Sequence, residues 1–279
     1  MSRKLIINAD DYGLSGEVND AIENLITAGR LNSVSLITNS WSYEGAVRFL
    51  KARPECSVGV HLNVVEGFAI SSSNNVKILL NGNGRFVDLK GLFLQWIKRP
   101  FAVAKAVEAE WRAQIELLLG DGLIPTHADS HQHIHAFPPF WRILVKLCRE
   151  FDIPAVRVPR ERNRTRKRRL SAFLLNSSAS VSQMIMPARD ILQNAHFLGF
   201  KRAGAYSLDA LLADIPRLKN GVTELVIHPS LYDGLPYPEL RGGMEYEALL
   251  DNDIRELTAE HHIELTSWFD LIPAKKTEM

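Results

Sequence analysis

KLIINADDYGLSGEVNDAIENLITAGR, residues 4–30, holds a complete strand-then-helix unit, and its reading decides the fold. KLIINA is a short apolar run of strand length. SGEVNDAIENLITAGR reads as a helix, with Ser15 placed as its N-cap and Gly29 near its end. Between them stand Asp10 and Asp11. On a regular strand these two carboxylates would point to opposite faces and could not serve one site. A sharp turn at Ala9-Asp10-Asp11 removes the conflict, and Gly13 supplies the backbone freedom for it. One aspartate can then stay ionised as a metal ligand while its neighbour takes and releases a proton. The competing reading makes one of them the cap of the first helix.

The same unit repeats outward from that stretch. SVSLITN is followed by helical YEGAVRFLKAR, and CSVGVHLNV is a third strand. A long segment with the turn signals SSSNN and NGNGRF precedes helical AVAKAVEAEWRAQIELLLG. THADSH ends a fourth strand before helical PPFWRILVKLCREF and strand AVRVP. Then come AHFLGF, helical LDALLADIPRL, strand TELVIHP, helical YEALLDNDIRELTAEHH and strand IELTSW. About eight strands, most followed by a helix, imply a parallel sheet with helices outside. The expectation is an α/β fold, a TIM-like (β/α) barrel with room for distortion or incomplete closure. One domain spans residues 1–279, with an insertion at about 65–100 and a basic, then apolar, segment at about 160–187. A doubly wound open sheet is the alternative, but no GxGxxG or P-loop pattern supports nucleotide binding.

The composition excludes several classes. Of the 279 residues, 46% are hydrophobic and 23% charged, and a formal net charge of +1 argues against general nucleic-acid binding. Two cysteines, Cys56 and Cys148, lie in apolar surroundings without CxxC spacing. They read as buried thiols in a reducing, cytoplasmic setting. The N-terminus lacks the apolar core of a signal peptide, and no uncharged stretch has bilayer-spanning length.

Chemistry in a parallel α/β fold gathers at the carboxyl ends of the strands. Asp10 and Asp11 lie at the end of the first strand, His61 near the end of the third, and His228 at the end of TELVIHP. HADSHQHIH places His127, Asp129, His131, His133 and His135 in strict alternation, so an extended chain would put all five on one face. Such a run spans roughly 26 Å, too far for one ion to take every imidazole. Two or three are ligands at most, and the others orient ligands, bind substrate or pack. Imidazole with carboxylate suits zinc, and also manganese, magnesium or iron.

NADDYG, GVHLN, THADSHQHIH and VIHP resemble, in order and spacing, the YdjC-like carbohydrate deacetylase family, which includes chitooligosaccharide deacetylases and the hopanoid-associated HpnK branch. The resemblance covers most of residues 4–229. It implies a (β/α) barrel that removes N-acetyl groups from amino sugars with one divalent metal ion. Carried over by matching motif, Asp11, His61 and a histidine of HADSH are the ligands, His131 preferred over His127. Asp10 is then the general base and His228 the acid that protonates the leaving amine. Asp129, His133 and His135 would help hold the substrate. The basic run is more similar to the HpnK branch than to the smaller sugar deacetylases.

Among the tryptophans, Trp41 follows the second strand directly and has the best claim to stack on a sugar ring. RERNRTRKRR, residues 160–169, has seven basic residues against one glutamate and precedes LSAFLLNSSASVSQMIM. Such a run ordinarily forms a solvated face or a loop; the alternative is that the two segments together contact a phosphate-bearing or membrane-surface substrate. The apolar part, Phe173 to Met186, also suits a homodimer interface. Two other functions remain compatible with these residues: metal-dependent hydrolysis of a different bond, such as a phosphoester, and carbohydrate binding without catalysis.

Overall fold

The computed structural model describes residues 2–161, 169–234 and 237–273. The chain runs through β1 (Arg3–Tyr12), α1 (Gly16–Thr27), β2 (Ser33–Leu36), α2 (Tyr43–Lys51) and β3 (Ser57–Leu62). It continues through α3 (Leu89–Lys98), α4 (Pro100–Gly120), β4 (His127–Ser130), α5 (Pro138–Glu150) and β5 (Ala155–Val156). Next come α6 (Arg169–Ile185), β6 (Leu192–Gln193), β7 (His196–Leu198), α7 (Leu208–Asp214) and β8 (Gly221–Ile227). α8 (Gly242–Leu250), α9 (Asp253–Glu260), β9 (Ile263–Thr266) and α10 (Trp268–Leu271) complete it.

Each strand pair is parallel, because a helix usually returns the chain to the same end of the sheet. The order is β6-β5-β4-β3-β2-β1-β8-β7, with β9 added on β1. β1 pairs with β8 from Arg3 to Ala9, while its other edge is shared by β9, at Arg3 to Ile6, and β2, from Asn8 onward. The two ends of this order, β6 and β7, are separated in the chain only by Asn194 and Ala195. The sheet therefore curls until its ends meet, which makes a (β/α) barrel and rules out the open doubly wound sheet. Asn194 bridges the seam: its Oδ1 accepts from the Val158 amide at 2.7 Å and its Nδ2 donates to the Val158 carbonyl at 3.0 Å and the His196 carbonyl at 2.9 Å.

Period-two alternation sorts the strand side chains. Leu5, Ile7 and Ala9 of β1, with Val58, Val60 and Leu62 of β3, join one large core with residues of α1, α4 and α5. The inward set differs from the branched aliphatic layers usual in such barrels. Asn8, Asp10, Ser33, Ser35, His61, His127, Asp129, Arg157 and Glu224 are all buried polar groups. The apolar part of the interior is small, Ile6 and Ala155 with Trp268. A polar interior survives folding only if its members satisfy one another.

Several elements depart from the sequence expectations. Only His127–Ser130 of HADSHQHIH is strand; the rest turns through a 3-10 segment in which Gln132 and His133 have φ of 54° and 53°. The five-residue alternation on one face is therefore corrected to His127 and Asp129 alone. YEALLDNDIRELTAEHH divides into α8 and α9, and IELTSW ends as a strand at Thr266, where Ser267 caps α10 through a capping box. The 65–100 segment contains a 3-10 turn at Asn74–Leu79 and α3. The segment after the basic run is a helix, α6. Cys56 and Cys148 are buried and free, with burial pushing both thiols up to about 12. Among the described residues no helix is long and apolar enough to cross a membrane.

Candidate active site

The register of β1 against β2 shifts between Ala9 and Tyr12, and Asp11 takes a φ of 62°. This bulge is the sharp turn that the paired aspartates required. Gly13 follows at φ 91°, where an added Cβ would lie 2.8 Å from the Ile37 carbonyl oxygen. Neither aspartate caps the helix; Ser15 does, accepting from the Val18 amide. Asp10 continues the inward alternation of Asn8, and Asp11 is turned toward the barrel mouth, so the two carboxylates enter different surroundings.

Asp11 meets two imidazoles. Its Oδ1 lies 3.3 Å from His61 Nε2 and 2.9 Å from His131 Nδ1. Ligand atoms held at about 2.0–2.1 Å around one tetrahedral ion stand about 3.3–3.4 Å apart, so these three side chains fit a shared divalent cation. Donor atoms of Asp11, His61 and His131 all fall within 4.8 Å of one another. Burial raises the Asp11 carboxyl, but the His131 charge and hydrogen bonds from His131 and His61 hold it well below the usual carboxylate range. Burial lowers the His61 and His131 rings, yet Asp129 and Asp10 carry His61 up to about 10, and Asp11 carries His131 up to about 9. In the metal-free protein a positive charge is thus held where a cation would sit.

The back of each imidazole is also held. His61 Nδ1 is 2.7 Å from Asp129 Oδ1, the carboxylate–histidine pairing that orients metal-binding rings. His131 Nε2 is 3.3 Å from Glu66 Oε2 and 3.3 Å from the Tyr237 hydroxyl, which itself donates to Glu66 Oε2. Asp10, His61 and Asp129 also lie close together, but Arg157 already supplies the cation there. Arg157 Nη1 is 2.7 Å from Asp10 Oδ2 and 2.5 Å from Asp129 Oδ2, and its Nη2 is 2.8 Å from Asp10 Oδ1 and 3.0 Å from Glu224 Oε1. Asn8 Nδ2 donates to Asp10 Oδ1 at 2.8 Å.

The remaining sequence candidates take varied places. His228 follows β8 half-buried, its amide donating to Glu245 Oε2 at 2.6 Å, while its buried Nδ1 has no partner. His127 is turned away: it stacks on Trp268 with ring centres 5.4 Å apart, and its two nitrogens meet Ser35 and Thr126. That ring fits only because position 59 is glycine, where a Cβ would lie 2.2 Å from His127 Nε2. Asp129 is wholly buried and spent on Arg157, Ser35 and His61. His133 and His135 are not brought to the cluster. His135 bonds Ser130 and the Arg157 carbonyl, and His133 stands edge-on to Phe197 at 5.3 Å. Trp41 is 86% exposed, edge-on to Phe68 at 5.7 Å. Most of the Arg160–Arg169 run lies outside the described residues.

Sequence reasoning missed Arg157, Glu224, Glu66 and Tyr237. The signal for the first two was a charge inside a short buried strand, in AVRVP and TELVIHP, which folding tolerates only when the charge is paired. Nothing local marked Glu66 or Tyr237, since both reach His131 from distant loops.

Comparison with known proteins agrees with this architecture. The chain belongs to the YdjC-like protein family, which it matches over residues 4–260. A carbohydrate deacetylase of Oceanobacillus iheyensis is 41% identical over 148 residues, 53% of this chain and 62% of that protein. The match to the Halalkalibacterium halodurans carbohydrate deacetylase likewise spans 62% of its length, at 36% identity. A carbohydrate deacetylase of Clostridium beijerinckii is 27% identical over 96% of this chain and 100% of its own. Among solved structures, an Enterococcus faecalis protein described as a cellobiose-phosphate cleavage protein superposes with a TM-score of 0.78 over 97% of this chain and 99% of its own. At 23% identity that likeness shows the shared fold.

Proposed function

We propose that this protein is a metal-dependent hydrolase that removes an N-acetyl group from an amino sugar, free, oligomeric or lipid-linked, in the cytoplasm. The observation that carries the reading is the division of labour between neighbours: Asp11 faces two imidazoles, whereas Asp10 is locked on Arg157. The curated relatives named carbohydrate deacetylases support the reaction class. Asp11, His61 and His131 would hold the ion, which when bound lowers the pKa of a water, for zinc to around 7, and polarises the acetyl carbonyl.

The chain's own groups supply the rest. Arg157 and Asn8 take two acceptor positions on Asp10 Oδ1 and one on Oδ2. Of the roughly four acceptor sites on a carboxylate, one on Oδ2 stays free to take the water's proton. The two Arg157 nitrogens fix the plane of the Asp10 carboxylate before the reaction, and that preorganisation is where such sites gain most of their rate. His228, with an unpartnered Nδ1, donates a proton to the leaving nitrogen, because an amide departs poorly as its anion. Trp41 and Phe68 form an exposed aromatic edge on which a sugar ring can stack.

Acetate release tests this reading. Chelated enzyme reloaded with zinc, manganese, magnesium or iron is offered N-acetylated mono-, oligo- and lipid-linked sugars. Release that needs the ion supports it. Silence on every acetyl substrate, with turnover of a phosphoester by the same loaded protein, would move the chemistry to another bond.

A further inference from the structure

α4 carries two polar residues where packing asks for apolar ones. Its buried face holds Val103, Val107, Trp111, Ile115 and Leu118, and Glu110 and Gln114, one turn apart, lie on that same face with no exposed surface. Burying a carboxylate and an amide has a cost that two apolar side chains would avoid, and hydrogen bonds must offset it. Among the described residues, every side-chain hydrogen bond they make beyond one to each other goes to the loop after β3. Glu110 accepts from the Ile70 and Ser71 amides at 2.9 and 3.0 Å. Gln114 accepts from the Asn63 amide at 2.9 Å and donates to the Asn63 carbonyl at 2.6 Å. Asn63 carries the clamp onward: its Oδ1 accepts from the Val65 and Glu66 amides at 3.0 and 3.2 Å, and its Nδ2 donates to the Glu66 carbonyl at 2.9 Å. Asn39, just after β2, donates to the Glu66 and Phe68 carbonyls at 3.1 and 2.9 Å.

Connecting loops are ordinarily solvated and tolerant of movement, so this many buried bonds mark a position that must stay fixed. Glu66 is that position. Its amide and carbonyl are both held, and its carboxylate reaches His131 Nε2 at 3.3 Å while the Tyr237 hydroxyl donates to the same oxygen. A proton on His131 Nε2, given to Glu66, fixes the tautomer of the ring. It leaves the lone pair of Nδ1, 2.9 Å from Asp11 Oδ1, turned to the cluster. We propose that Gln114 and Asn39 are positioning residues for His131, acting through the placement of Glu66, so that a helix with no residue in the site sets how tightly an ion is held. The inference rests on the metal site assigned above.

Calorimetric titration of zinc, and separately of manganese, into the chelated full chain tests it. Glu66→Ala is expected to weaken binding by about 10–100-fold, and Gln114→Met and Asn39→Ala each by about tenfold. Adding Glu66→Ala to either of these should bind no more weakly than Glu66→Ala alone, because residues that act through one group do not add. Leu118→Ala, which loosens the same helix through its packing alone, should keep the wild-type affinity. Losses that add in the double variants, wild-type affinity in both single variants, or an equal loss from Leu118→Ala would overturn the proposal. Gln114 and Asn39 lie on different elements, so one variant decides the matter where the other fails to fold. Wild type that takes up neither ion would remove the metal site itself, and the proposal with it.

Discussion

Arg157 shares one guanidinium among Asp10, Asp129 and Glu224 with no exposed surface, and burial carries Glu224 up to about 7 even so. Replacing it by methionine leaves buried carboxylates facing one another, and losing one partner of a buried ionic cluster costs about 3–5 kcal/mol. Urea denaturation of Arg157→Met at pH 7 should show that loss, and a smaller one at lower pH, where the carboxylates take up protons. The imidazoles give a second expectation at this scale. His61 and His131 have folded values raised to about 10 and about 9, above the unfolded value of about 6.5. Their ion pairs therefore stabilise the chelated protein fully below about 6.5, and the contribution is lost as pH rises through 9 to 10. The midpoint temperature of chelated protein should fall across that window, and His131→Gln should flatten the fall. A divalent ion needs the neutral rings, so its affinity should run the other way and weaken as pH falls. Asp10, Asp11, His61 and His131 were legible because polar residues at strand ends stand out in a parallel fold. Arg157 was not, because its meaning depends on carboxylates contributed by three other strands.

At the scale of elements, the bulge in β1 decides which way Asp11 points. Gly13→Ala forces a side chain into φ 91° and a Cβ within 2.8 Å of the Ile37 oxygen. Such strain costs about 1–3 kcal/mol, and chemical denaturation should report it together with weaker metal uptake. The strand–helix repeat was readable because its apolar runs and helical spacings are local. HADSHQHIH was misread as wholly extended because alternation is equally the pattern of a strand, and only Gln132 and His133 in the left-handed region show the turn. α6 was hard to see because its apolar stripe faces outward. YEALLDNDIRELTAEHH splits at Asp251-Asn252, where a continuous helical pattern hides a break.

For the whole molecule, closure rests on very little chain. β6 and β7 have two and three residues, and Asn194 between them bonds across the seam. Asn194→Ala leaves the buried Val158 amide unpaired, at about 1–3 kcal/mol, while the Val158 carbonyl still accepts from the Arg160 amide at 2.8 Å. Hydrogen exchange should then quicken at Val158 and at the β7 pairing, while β1 to β3 stay protected; uniform change across the sheet would contradict local closure. The sequence suggested a barrel from the number of repeats, but two-residue strands carry no periodicity, so how the sheet meets itself was not readable.

The central claim is that adjacent aspartates perform different jobs, and one paired measurement tests it. Bound metal per chain and acetate turnover are read on the same preparations of wild type, Asp10→Asn and Asp11→Asn. Asp10→Asn should keep wild-type metal content and lose turnover by about 10²–10⁴-fold, whereas Asp11→Asn should lose both. Asp10→Asn protein that loses its metal, or that turns over at the wild-type rate, would contradict the account.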